Sequence, residues 1–204
     1  VFTQQTPPAT SYGAYLELAT SNASMTLEMH DRLRHMGGLN GTLLTAQTVG
    51  IDFNGITADN MVKRIGDANY SDIQWWLEWY TATGSSAVTA TIAVTYDDGT
   101  TGNLSALSLA ATRPASFMAT LNGLIPAAAA GKYIRAVNSV TLSATTGTAG
   151  SFGVTATRPR MAISSPMANM KYIADWAQLG LPEIYNGSCL FPLVVTSTTT
   201  TGTV

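Results

Sequence analysis

Charge is what this chain has least of. Asp, Glu, Lys and Arg make up 11% of its 204 residues, less than half the roughly 25% usual for soluble domains. An isolated soluble protein covers its surface with those residues. A shortage therefore points either to a membrane or to a surface buried against other chains, with a low-charge extracellular β domain as the plain alternative. Long apolar runs are also missing. The most apolar stretch, Leu121 to Ala130, is interrupted by Asn122, Gly123 and Pro126 and falls well short of the roughly 18 residues that a membrane helix needs. The first residues, Val1-Phe2-Thr3-Gln4-Gln5, carry neither the basic nor the apolar region of a signal peptide. Burial in an assembly is thus the expected use of the uncharged surface.

Cysteine is nearly absent. Cys189 stands alone, so no internal disulfide staples the fold. Its neighbours Leu190 and Phe191 predict a buried, inert thiol. The net charge is −2 and the Lys and Arg residues are scattered, which leaves no basic stripe for nucleic acid.

Catalytic vocabulary is missing as well. His30 and His35 are the only histidines. Even with Asp31 beside them they fall short of the three or four convergent ligands of a zinc site. No nucleophile elbow, His-Glu-x-x-His or phosphate-binding loop occurs. Asp97-Asp98-Gly99 lacks the closing glutamate of a calcium loop and reads as a hairpin turn. A carboxylate pair drawn from Glu78, Asp175 or Glu183 is no more than any chain with 12 acids offers. No catalytic residue, cofactor or metal is expected, and the protein is not expected to be an enzyme.

What is present is β vocabulary. Ile73, Trp75, Leu77 and Trp79 alternate with Gln74, Trp76, Glu78 and Tyr80, the period of a strand with one buried face. Val88 to Tyr96 is the cleanest strand, and Asp97-Asp98-Gly99 turns it into a partner over Leu104 to Ala110. Ile134 to Val137, Val140 to Ala144 and Phe152 to Thr157 continue the pattern, the last two joined by a Gly/Thr turn over 145–150. Strands at this spacing predict an antiparallel β-sandwich. Before them, Met25, Met29, Leu33 and Met36 form a helical stripe, with Ser24 as N-cap and Gly37-Gly38 as stop; Glu28 and Arg32 would pair on it. A second short helix over Ala58 to Ile65 is compatible with the sequence. The residues up to about 23 read as an extended arm, and Thr196 to Val204 as a low-complexity tail.

The expected fold is mainly β: an antiparallel, jelly-roll-like sandwich with an N-terminal arm, a short helix and an extended C-terminal tail. Its expected divisions are an arm-and-helix region over 1–72, a sandwich core over 73–160 and a C-terminal extension over 161–204. Alternation turns Trp76 and Tyr80 outward, toward a subunit interface, a sugar or the protein's own arm. With Tyr12, Tyr15 and Trp176 they are the candidate interface residues. Ala111-Thr112-Arg113-Pro114 recurs as Ala156-Thr157-Arg158-Pro159, an echo that reads as a shared corner where strands leave the sheet.

Residues 27–159 also resemble a family of tailed-bacteriophage virion proteins. The resemblance rests on Leu33-Arg34-His35-Met36-Gly37-Gly38-Leu39-Asn40-Gly41-Thr42, on Leu77 to Gly84, on Val94-Thr95-Tyr96-Asp97-Asp98-Gly99-Thr100-Thr101-Gly102, and on Gly147 to Val154, in that order and spacing. Lys132-Tyr133 departs from the turn expected before Ile134. The resemblance implies a structural protein of the particle, located on the virion. A capsid decoration or cement protein is favoured, binding copies of itself (as a trimer) and the major capsid protein or another virion protein. The alternatives are a neck, collar or tail protein, or a carbohydrate-binding module of a fibre. It carries no catalytic residues over.

Overall fold

The computed structural model describes residues 1–6, 8–147 and 150–196. The threonine-rich tail beyond Thr196, and part of the turn between Thr145 and Gly150, lie outside the described residues. The chain is mainly β and antiparallel, as expected. It forms two compact units whose boundaries differ from those read in the sequence: a larger one of residues 33–58 and 65–157, and a smaller one of 1–32, 59–64 and 158–204.

The larger unit is the sandwich. One of its sheets has the order β2-β10-β4-β8, from β2 (Met25–Asn40), β10 (Ser151–Ser165), β4 (Gln74–Trp79) and β8 (Met118–Thr120). The other has the order β3-β9-β5-β6, from β3 (Gln47–Asp52), β9 (Ile134–Leu142), β5 (Val88–Tyr96) and β6 (Thr101–Asn103), with β7 (Leu107–Leu109) also paired to β5. Strand β4 supplies the centre of the core. Ile73, Trp75, Leu77 and Trp79 are all fully buried, and the Trp75 ring meets Phe53 edge-on at 5.6 Å. Its indole N–H donates to the Ile134 carbonyl across the sandwich at 2.9 Å, so the buried polar atom keeps a partner. The Asp97-Asp98-Gly99 turn forms, with Gly99 at φ 84, where only glycine is unstrained; the partner expected over Leu104 to Ala110 instead begins at Thr101 and is split into β6 and β7, both paired to β5. Asp98 accepts from Thr100 and Lys132, whose ammonium lies 2.8 Å away. The Lys132 bond, then those of Thr100, hold its carboxyl well below the usual range.

In the smaller unit β1 (Leu16–Ala19) pairs with β11 (Lys171–Ala174), and β12 (Leu190–Thr196) pairs with the first half of β2. The N-terminal arm is held by its own chain, not left for a neighbour. Phe2 exchanges backbone hydrogen bonds with Gly187 and Ser188, and Ser11 and Gly13 bond Ile184 and Pro182.

Four sequence expectations are corrected. Residues 25–40 are a strand, not a helix. Met25, Met29 and Leu33 are separated by even steps, so the helical stripe is equally one face of a strand, and pairing with β12 decides the outcome. Ser24, at φ 56, is no N-cap, and Glu28 bonds His30 at 2.8 Å. The short helix sits instead at α1 (Asp59–Ile65), stopped by Gly66 at φ 90. Cys189 is exposed, while its neighbour Ser188 is the one turned inward, its hydroxyl on Asp31. Residues 160–165 stay in the sheet as the end of β10. The Ala-Thr-Arg-Pro echo has no shared role: Arg158 lies inside β10 and bonds the carbonyls of Lys63 and Arg64 at the end of α1, whereas Arg113 follows β7 in a loop.

One polar cluster organises the smaller unit. Asp31 is 1% exposed and accepts four hydrogen bonds. The Arg64 guanidinium donates two at 2.8 Å each, the Ser188 hydroxyl one at 3.0 Å and the Cys189 backbone N–H one at 2.8 Å. The cluster joins β2, α1 and the segment before β12. Replacing one partner strands the other charge in a dry site. Asp31→Ala is expected to destabilise the isolated protein by about 3–5 kcal/mol, read by chemical denaturation. A loss below about 1 kcal/mol, the worth of an exposed pair, would show that the cluster does not hold the unit.

Candidate interaction surfaces

The outer face of β4 carries the alternate residues. Gln74, Trp76, Glu78 and Tyr80 lie opposite the core side and are half-buried. Trp76 and Tyr80 thus point outward as the alternation predicts, yet neither stands free. The Trp76 indole N–H donates to the Thr157 hydroxyl at 2.8 Å. Tyr80 joins a chain of hydrogen bonds. Its hydroxyl lies 3.0 Å from His35 Nε2, His35 Nδ1 lies 2.8 Å from Thr155 Oγ1, and the Thr155 hydroxyl donates to Glu78 at 2.5 Å. With Thr155 donating to the carboxylate, its oxygen accepts from an Nδ1–H tautomer, and Nε2 accepts from Tyr80. Every member is satisfied, and the chain ties β2, β10 and β4 together.

This network has the residue types of a proton relay without an exposed nucleophile: Thr155 is completely buried. The other two acids weighed for a carboxylate pair also have structural duties. Asp175 caps α2 (Trp176–Leu179), accepting from the backbone of Ala177 and Gln178. Glu183 accepts from Gln4, and its backbone bridges Tyr12. Among the described residues no three His, Cys, Asp or Glu side chains gather as a metal site.

Two glycines let the network close. Gly37 lies against the Tyr80 ring. A Cβ at Gly153 would collide with the Tyr80 hydroxyl, the Met36 carbonyl and the Gly37 Cα. Two of these are backbone atoms, which cannot swing away.

The smaller unit shows a different surface. Trp176 is 61% exposed, Met167 60% and Tyr15 54%, and Tyr12, Met170, Ile173, Val194 and Val195 are also open to solvent. The larger unit exposes only Leu43, Leu44 and Tyr133 among its large apolar side chains, counting described residues. Trp176 is presented at the start of α2, a single turn fixed by the Asp175 capping box and by Gly180 at φ 69. Tyr15 is presented by a surface network. Glu17 accepts from both Tyr15 and Lys171 at 2.9 Å. The Lys171 bond, then the Tyr15 bond, pull the Glu17 carboxyl below its ordinary pKa, and the bond to Glu17 raises that of the Tyr15 phenol. Of the five candidate interface residues, Tyr12, Tyr15 and Trp176 are therefore open, and Trp76 and Tyr80 are engaged within their own sheet.

No protein-family model, no curated protein and no solved structure matches this chain.

Sequence reasoning missed the His35–Thr155–Glu78 network, because a helix at 24–36 put His35 far from the sheet. The cross-strand register, which sets Thr155 opposite Trp76, is what assembles it. Gly153→Ala tests the close approach. It is expected to cost about 1–3 kcal/mol or more through overpacking, whereas Gly123→Ala, which meets nothing within 4 Å, should be near neutral. Equal melting midpoints for the two variants would contradict the packing described.

Proposed function

We propose that this protein is a structural protein of a tailed-bacteriophage virion, a capsid decoration or cement protein that binds copies of itself and the major capsid protein. The observation that carries the reading is the uneven treatment of apolar surface. Among the described residues the smaller unit buries the apolar residues Leu18, Met25, Ile163, Ala174 and Ile184 and leaves eleven large apolar side chains open. So many exposed large apolar side chains in one unit favour an interaction surface, and a chain with 11% charged residues has little with which to keep that surface apart from other chains. Exposed Trp and Tyr are the residue types that anchor interfaces.

A decoration protein of this kind works by mass action. It binds the assembled lattice and not the loose subunit, so it stabilises the lattice by the free energy of its own binding. Closed symmetry, a trimer at lattice three-folds, multiplies weak contacts. The arm, bonded to its own chain, forms part of the body in this scheme and not a lace between subunits.

Quantitative peptide mass spectrometry of purified particles tests the reading. Copies in a simple ratio to the major shell protein are expected. A number smaller by an order of magnitude or more moves the protein to the neck, collar or tail, and absence from particles removes the virion role altogether.

A further inference from the structure

The edge of a β-sheet carries a row of unpaired backbone N–H and C=O groups, and folded proteins protect it with short strands, bulges, charge or proline. Most described edges of this chain are protected in these ways. Strands β6, β7 and β8 are three residues each. Strand β3 shifts register between Thr48 and Ile51 and ends at Asp52. The β1–β11 ribbon carries Glu17 and Lys171. Strand β12 differs. It is outermost in its sheet, runs for seven residues in unbroken register with β2 and has no charged side chain. No Asp, Glu, Lys or Arg follows Glu183 in the sequence.

The ladder says which backbone groups of β12 face out. The Arg32 N–H donates to the Cys189 carbonyl at 2.9 Å. Odd-numbered residues of β12 therefore bond β2, and Leu190, Pro192 and Val194 turn their backbone groups to the open side. Pro192 fits that placement, because its missing N–H costs the ladder nothing. It blunts only the middle of the edge. Val194, beyond it, presents both an N–H and a C=O to the open side. Val194 is 40% exposed and Val195 45%, so β-branched apolar side chains are uncovered on both faces of the strand at that point.

We infer that β12 docks against β12 of a second copy, antiparallel about a two-fold axis at Val194, with the two Val194 residues exchanging N–H···O=C bonds. The inference rests on the self-association in the proposed function and names where one of its contacts lies. Charge selects a second copy as the occupant. An uncharged strand gives an acidic or basic partner nothing to pair with, whereas its own copy sets no like charges opposite one another. Geometry agrees, because a pair centred on Val194 uses the same groups from both copies, as an isologous contact must, and keeps both prolines off the centre. A two-fold contact cannot close a trimer, so it joins one trimer to the next. A strand this short buries less than the roughly 1,200 Å² of a stable interface. The pair is weak alone and gains by repetition over a lattice.

Oxidative cross-linking of the full chain in solution tests this, in a Cys189→Ser background. Facing Cα atoms of a hydrogen-bonded antiparallel pair lie about 5.5 Å apart, within disulfide reach. Val194→Cys is expected to give a disulfide-linked dimer at least about tenfold faster than Leu44→Cys, a comparably exposed position of the larger unit. Val194→Pro removes the outward N–H and spares the ladder with β2. It should remove the largest species seen by sedimentation at about 1 mM protein and leave the melting midpoint nearly unchanged. Val194→Lys, which opposes two like charges, should do the same by another route. Cross-linking no faster than that of Leu44→Cys, as when residues after Thr196 of the same chain take the edge, would overturn the inference. So would unchanged association of folded Val194→Pro and Val194→Lys proteins. A Val194→Pro protein that still self-associates but no longer binds particles would overturn it too, and would assign the edge to a strand of another protein. The virion reading stands apart from these outcomes, since copy number on particles decides it.

Discussion

The inward row of β4 is the constraint on which the sandwich depends. Ile73, Trp75, Leu77 and Trp79 have no exposed surface at all. A one-residue slip against β10 would turn both tryptophans to the outer face. The register is held from both sides. On the core side, Trp75 is bonded to Ile134 and Trp79 packs against Phe152 at 4.4 Å between centroids. On the outer side, Trp76 is bonded to Thr157, and Glu78 to Thr155. The Trp79 indole nitrogen is buried without a partner, a cost of about 1–3 kcal/mol that the packing of two large rings has to offset. Gly153 follows from the same geometry, since it is where β10 must approach β2 and Tyr80 most closely.

The two units are stabilised by different means. The larger one is built on a large set of buried apolar side chains and ties several of its half-buried polar groups into hydrogen-bonded chains, such as that of Tyr80, His35, Thr155 and Glu78. The smaller one buries few apolar side chains and is organised around a carboxylate with four donors. A buried ion pair confers specificity of arrangement more than net stability. A unit built this way keeps much of its apolar surface available, and the proposed role uses that surface. The scarcity of charge, 11% of the residues, suits a surface that the proposed assembly would bury.

Much of the larger unit was legible in the sequence because its signal is local. The alternation of β4, the uninterrupted run of β5 and the Asp-Asp-Gly turn each specify their structure within ten residues. Strand β2 was misread because Met25, Met29 and Leu33 satisfy helical and strand periods alike, and the choice is made by partners more than a hundred residues away in sequence. Asp31 and Arg64 offered no sign of each other across 33 residues, and the apolar neighbours of Cys189 do not reveal that Ser188, which bonds Asp31, is the residue that turns inward. Of the surface residues, Tyr12, Tyr15 and Trp176 were identifiable as uncovered aromatics.

The central claim is that the apolar surface of the smaller unit becomes buried when the protein assembles. Hydroxyl-radical footprinting of the free protein against the protein on purified particles measures this directly, because Met, Trp and Tyr are strongly labelled side chains. The account predicts that Met167, Met170, Trp176 and Tyr15 are oxidised in the free protein and protected on the particle, with the buried Trp75 and Trp79 unlabelled in both. Equal labelling of those four residues in the two states would contradict it.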